Sequence, residues 1–175
     1  SYAIADGNIA TVTGSTTTIV GAGSTLVTVT QAADANYNSA VATMTLTVNK
    51  ISPAISFDDV TKNFDDADFN LSATSSSTGA FSFAIADGNI ATVTGSTTTI
   101  VGAGSTIVTL TQAADANYNS AVATMTLTVN KISPAISFDD VTKNFDDADF
   151  NLSATSSSTG AFSFAIADGN IATVT

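Results

Sequence analysis

Apolar and polar residues alternate along most of this 175-residue chain. In residues 122–129, Met125, Leu127 and Val129 fall on one face and threonines fall on the other. A period of two, rich in threonine and valine, is typical of β-strands with one buried face. The pattern predicts an all-β chain without helices, and the expected strands around the centre of the chain are 55–57, 69–73, 81–85, 90–94, 97–101, 106–112 and 122–129.

Turn residues separate these predicted strands. Gly95-Ser96 and Asp87-Gly88 each fit a two-residue β-hairpin, and residues 102–104 fit a tighter bend because they contain two glycines. The sequence therefore predicts short strands joined by tight connections.

The chain repeats itself with an offset of 81 residues. Residues 1–94 and their counterparts differ at three positions, Tyr2/Phe83, Leu26/Ile107 and Val29/Leu110. All three changes are apolar or aromatic and nearly conserve volume, which suits buried positions. A unit of this length is too long for a solenoid repeat and suits a small domain with its own core.

The joints between repeats are predicted at 47–53 and 128–134, where a strand ends and a proline follows. We therefore expect a C-terminal part of a repeat at 1–49, a complete repeat at 50–130 and an N-terminal part of a repeat at 131–175. The two parts contain one 13-residue segment twice. Either the chain is a window of a longer tandem array, or neighbouring units exchange that segment. About seven short strands per repeat predict tandem immunoglobulin-like β-sandwich domains.

Composition narrows the possible functions. Glu, Arg, His, Cys and Trp are absent, and 15 Asp against 4 Lys give a net charge of -11. These absences remove disulfides, imidazole and thiolate metal sites and most nucleophilic catalysis, so we expect no enzyme. The acidity argues against nucleic acid as a partner. No apolar run is long enough to predict a membrane span.

Aspartates cluster in the connection after the first predicted strand. Carboxylate oxygens at short spacing are the ligands that Ca²⁺ prefers, so the clusters predict a possible calcium site that would stiffen a joint. The alternative is that they form turns and a solvated surface. The ten residues are Asp58, Asp59, Asp65, Asp66, Asp68, Asp139, Asp140, Asp146, Asp147 and Asp149.

Four phrases resemble a known family, the bacterial Ig-like tandem repeats of large cell-surface adhesins. They are residues 90–95 followed by 101–109 (IATVTG and VGAGSTIVT), 64–71 (FDDADFNL), 116–121 (ANYNSA) and 126–131 (TLTVNK). Asp65 stands where that family commonly has glycine. The resemblance implies secretion, tandem arrays and display on the cell surface, with neighbouring repeats of the same chain as partners.

These observations favour a structural role. The first hypothesis is an extender, or stalk, that holds a distal module away from the cell. An alternative is a multivalent carbohydrate- or cell-binding repeat, in which Tyr118 between two asparagines presents its ring to a sugar. A further alternative is a fibre subunit that self-assembles by strand exchange.

Overall fold

The computed structural model of the chain describes residues 1–174 and contains only strands as regular structure in that range. The predicted all-β class is therefore confirmed. The chain forms two compact units, the first spanning Ser1–Lys131 and the second beginning at Ile132.

The first 49 residues form five strands. They are β1 (Tyr2–Ile4), β2 (Ala10–Thr13), β3 (Thr16–Ile19), β4 (Gly23–Gln31) and β5 (Ala40–Val48). These strands make a three-stranded antiparallel sheet in the order β1-β4-β5 and the hairpin β2-β3.

The complete repeat, all of whose residues the structure describes, forms nine strands. They are β6 (Ile55–Ser56), β7 (Val60–Asn63), β8 (Phe69–Asn70), β9 (Thr74–Ser75), β10 (Phe81–Ile85), β11 (Ala91–Thr94), β12 (Thr97–Ile100), β13 (Gly104–Gln112) and β14 (Ala121–Asn130). These strands make a four-stranded sheet (β10-β13-β14-β7), a three-stranded sheet (β11-β12-β8) and the pair β6-β9. Every pairing is antiparallel except that of β14 with β7.

The core of the complete repeat lies between its two larger sheets. Ala91 comes from the three-stranded sheet, and Val108, Met125 and Leu127 come from the four-stranded sheet. The predicted inward face of β14 is thus confirmed, and the two layers have the arrangement of a β-sandwich. An immunoglobulin-like assignment stays a prediction.

Two strands in the complete repeat were not predicted. β7 lies within the Asp-rich connection, where the aspartates on both sides favour turns, and β9 is two residues long. β7 forms because its backbone pairs in parallel with the last residues of β14, from Val60 beside Leu127 to Asn63 beside Asn130. This long-range pairing leaves no signal in the local pattern. The predicted strand 69–73 is limited to Phe69–Asn70.

The two predicted hairpins differ in outcome. Gly95-Ser96 joins β11 to β12, and Gly95 has φ of 63°, which glycine adopts without strain. The Asp87-Gly88 hairpin is wrong, because β10 pairs with β13 while β11 pairs with β12. The turn instead carries the chain from one sheet to the other.

The expectation that all three differing positions are buried is wrong for one of them. Leu110 is fully buried in the core, but Ile107 is 46% exposed and its counterpart Leu26 is 45% exposed. Side chains on a strand alternate between faces, so these two residues point away from the core.

The second unit contains one described strand pair, β15 (Ile136–Ser137) with β16 (Thr155–Ser156). It matches β6-β9 of the complete repeat. Residues 141–144 and 150–151, which match β7 and β8, form no strand in the described part of the chain.

Candidate functional site

The aspartate cluster of the complete repeat lies at separate places on the domain. Asp59 accepts a hydrogen bond from the Thr126 backbone amide at 2.6 Å, part-way along the edge of β14. Asp66 accepts one from the Asn63 amide at 2.9 Å, and Asn63 pairs with Asn130 at the end of that strand. Four residues of strand between Thr126 and Asn130 correspond to roughly 13 Å. The two carboxylates therefore stabilise different stretches of backbone.

The remaining predicted ligands of this cluster have local roles or no assigned contact. Asp58 accepts a hydrogen bond from the Ser56 hydroxyl at 3.3 Å. Asp65 has φ of 83° in the tight turn after β7, a conformation that a side chain makes costly and that glycine adopts freely. Asp68 lies exposed beside β8.

The second cluster repeats these local contacts. Asp139 accepts from the Ser137 hydroxyl at 3.4 Å and Asp147 from the Asn144 amide at 2.8 Å. Asp146 has φ of 77°. Asp140 and Asp149 are exposed.

Within residues 1–174 no three acidic side chains gather into a group that could hold a metal ion. A groove of about 270 Å³ beside the first cluster is lined by two of its members, Asp58 and Asp59, and also by Leu71 and Met125. Two carboxylates are fewer oxygen ligands than the six to eight that Ca²⁺ takes. Calcium binding stays a prediction.

Asp115, which sequence reasoning missed, organises the loop after β13. Its carboxylate accepts hydrogen bonds from the Asn117 and Tyr118 amides, both at 2.8 Å. It also accepts from the Ser77 hydroxyl at 2.8 Å and the Thr78 amide at 2.9 Å, which tie this loop to the one after β9. Hydrogen bonds hold the pKa of the Asp115 carboxyl well below its usual range. The bond from the Thr78 amide lowers the pKa most, desolvation opposes it, and the bonds from Ser77, Asn117 and Tyr118 lower the pKa further.

This loop forms a joint with the linker that precedes the complete repeat. Lys50 donates from its Nζ to the Asp115 carbonyl at 2.6 Å. The Ile51 amide donates to the Asn117 carbonyl at 3.2 Å, and the Asn119 amide donates to the Ile51 carbonyl at 2.8 Å. The linker is therefore held along the loop as a short parallel β-bridge, with Ile51 opposite Tyr118.

The same loop reaches the preceding repeat. The Ala22 backbone amide donates to Oδ1 of Asn117 at 2.8 Å. Ala22 lies in the bend before β4, beside the end of β5, because Gly23 pairs with Val48. Asn117 thus connects one repeat to the next across the linker. A weak sequence signal existed: Asp and Asn two residues apart form Asx turns, but nothing in the pattern shows what such a turn contacts.

The two ends of β14 mark the two ends of the complete repeat. Ala121, the first residue of β14, pairs with Gln112, the last residue of β13, so the loop between them and the linker bound to it lie at this proximal end. Its distal end holds the chain exit, where the Phe64 amide donates to the Asn130 carbonyl at 2.8 Å. β14 has 10 residues, so the two ends are separated by roughly 30 Å. The chain therefore enters and leaves the complete repeat at opposite ends.

None of the known protein-family models matches the chain, and no curated protein does. The chain is similar to a solved structure of the surface layer protein SbsC, domains 1–6, with 17% sequence identity and a TM-score of 0.36. The similarity covers 78% of this chain and 21% of that structure. So low a score supports no conclusion about this chain. The described residues contain no helix long and apolar enough to cross a membrane.

Proposed function

We propose that the chain is a non-catalytic extender segment of an extracellular, cell-surface protein, in which successive repeats act as spacers. The joint between residues 1–49 and the complete repeat carries this proposal. It combines the Asn117 contact to Ala22 with the backbone bridge between Ile51 and Tyr118. Because the chain enters and leaves at opposite ends of β14, each added repeat increases length.

Charge supports the same role. Each repeat carries seven Asp and two Lys. Neighbouring repeats repel one another over the roughly 8 Å Debye length of physiological salt, which favours an extended joint over one that folds back. The Asn117 contact and the linker bridge limit bending at the joint, whereas repulsion alone would not fix the angle between neighbouring repeats.

The spacing between repeats can be measured directly because the chain has no cysteine. Thr11 and Thr92 are exposed and 81 residues apart. With spin labels at Thr11→Cys and Thr92→Cys, electron–electron double resonance at low protein concentration measures the translation from one repeat to the next. We expect a narrow distribution centred at about 30–40 Å, from the length of β14 plus the linker.

The joint has a matched control within the chain. Asn117→Ala should broaden the distance distribution, because it removes the acceptor of the Ala22 amide. Asn36 occupies the same loop of the first repeat, and its described hydrogen bond is made by its backbone amide to Asp34 rather than by its side chain. Asn36→Ala should therefore leave the distribution unchanged. A distribution that is broad in the parent protein, or centred far below the length of β14, would contradict a spacer role.

A further inference from the structure

The larger sheet of the complete repeat has an outward face without charge. This outward face consists of every second residue from Ser105 to Thr111 in β13 and from Val122 to Thr128 in β14, with Ser82 and Ala84 of β10. The aspartates of the complete repeat lie in the connections between strands. Its one charged residue within a strand, Lys62, lies over the Phe69 ring on the inward side, with Nζ 4.9 Å from the ring centroid. Charge is therefore confined to the loops, the edges and the ends of the repeat.

The outward face also exposes two large apolar side chains. Val122 is 64% exposed and Ile107 is 46% exposed. Threonines lie between and beside them, such as Thr109 opposite Thr124. The smaller sheet differs, because the outward positions of β11 and β12 are threonines only. The larger sheet is thus the one whose outward face offers apolar surface to bury.

The same outward face recurs in the first repeat. Val41 and Leu26 match Val122 and Ile107, and they are 64% and 45% exposed. The described contacts between the repeats leave this face uncovered, because they are made at the ends of the sheets by the linker and by Asn117. Successive repeats therefore each present an uncharged, partly apolar side.

We propose that the outward faces are the surface through which two copies of this chain associate side by side. Each repeat carries seven Asp and two Lys, so an approach through loops or ends brings like charges together. The outward face lets a second copy approach without that repulsion and buries Ile107 and Val122 against it. Two such faces would pack as the sheets of a β-sandwich do, about 10 Å apart.

The area of the face predicts that association needs more than one repeat. Three strands about 4.8 Å apart, with a rise of about 3.3 Å per residue, give a face of roughly 15 Å by 25 Å, or roughly 400 Å². A stable interface buries about 800 Å² on each partner, so a single pair of faces falls short and two consecutive pairs reach that area. Two parallel copies have the same 81-residue period, so pairing at one repeat brings the next pair of faces close together.

Sedimentation velocity of the full chain over a wide concentration range tests this proposal. We expect reversible dimers, and raising the salt from about 0.01 M to about 0.15 M should favour them because it screens repulsion between the acidic copies. Thr43 and Thr124 are exposed and occupy the same position of the outward face in the two repeats. Thr43→Asp or Thr124→Asp should weaken dimerisation at least about tenfold, because like charges then meet between the two faces. The double variant should remain monomeric.

Thr92→Asp is the matched control, because it places the same charge on an exposed threonine of the smaller sheet. It should dimerise as the parent chain does. Charge reversal separates loss of the interface from loss of the fold: Thr124→Asp and Thr124→Lys should each weaken self-association, and a mixture of the two should restore dimers.

Three outcomes would overturn the proposal. One is a parent chain that stays monomeric at every concentration and salt, which would leave the outward face to a partner of other chemistry, such as a neutral glycan. The second is equal dimerisation of Thr92→Asp and Thr124→Asp. The third is absence of dimers in the mixture of the Asp and Lys variants.

Discussion

Replacing Met125 with alanine tests whether the core, rather than strand propensity, stabilises the complete repeat. Met125 is 3% exposed and packs in the core cluster with Leu71 and Leu127. Its counterpart Met44 lies in the same sequence and the same strand pairing but is 57% exposed. The pair therefore separates burial from local sequence.

The expected magnitude follows from burial. Truncating a buried Met to Ala costs about 2–5 kcal/mol, because transfer free energy is lost and a cavity remains. Full burial of a Met side chain stabilises the folded state by about 1.5–3 kcal/mol. Less than half of the surface of Met44 is buried. Met44→Ala should therefore cost less than about 1.5 kcal/mol, and that cost falls on the first repeat. For a domain of this size, 1 kcal/mol shifts Tm by about 4–8 °C.

Differential scanning calorimetry of the full chain, at a concentration where it is monomeric, measures both effects. Met125→Ala should lower the Tm of the complete repeat by at least about 8 °C. Met44→Ala should leave that transition within about 4 °C of the parent value. If the two substitutions shift it equally, or if Met125→Ala leaves it in place, burial of this residue does not stabilise the repeat.

Two further pairs of counterparts give predictions that urea unfolding can check. Asp115→Asn should destabilise the complete repeat most at neutral pH and progressively less as pH falls below about 4, because a depressed folded-state pKa contributes stability only above that range. Asp34→Asn, which removes described contacts to the Asn36 and Tyr37 amides only, should destabilise its own repeat less at neutral pH than Asp115→Asn destabilises the complete repeat. Parallel curves of stability against pH for Asp115→Asn and the parent chain would refute the argument. Gly79→Ala should cost more than about 1 kcal/mol because its Cβ would meet the Ala113 carbonyl oxygen, whereas at Gly160 the nearest atom is Ser158 Oγ at 3.5 Å. Equal urea midpoints for the two glycine variants would show that the close approach is relieved at little cost.

The alternating pattern predicts a strand correctly where one face of that strand lies in the core. β13 and β14 follow it over most of their length, and the inward residues Val108 and Met125 are buried as expected. The pattern missed β7, whose pairing depends on residues more than 60 positions away in sequence. It also misjudged Asp87-Gly88, since a turn that changes sheets has the same residues as a hairpin turn.

The site was harder to predict than the fold. The density of charge at Asp58, Asp59 and their neighbours predicts a shared site, yet their described contacts are separate. Asp59 and Asp66 accept from amides in different stretches of backbone, and Asp58 accepts from the Ser56 hydroxyl. The residues that connect repeats, Asn117 and Ile51, belong to no charge cluster in the sequence. Their role depends on which loop lies against the linker, and that is set by tertiary packing.

The repeated sequence allows the same residues to be compared with and without a neighbouring strand. Residues 60–63 form β7 when β14 lies beside them, and the identical residues 141–144 form no strand in the second unit. Residues 40–48, by contrast, keep the structure of β14 without any cover, because their antiparallel pairing with β4 is supplied by a nearby segment. Local pairing therefore stabilises one half of a repeat independently, while the other half depends on a partner surface. In an array of near-identical repeats every such surface fits every such segment, so the order along the chain decides the pairing more than sequence does.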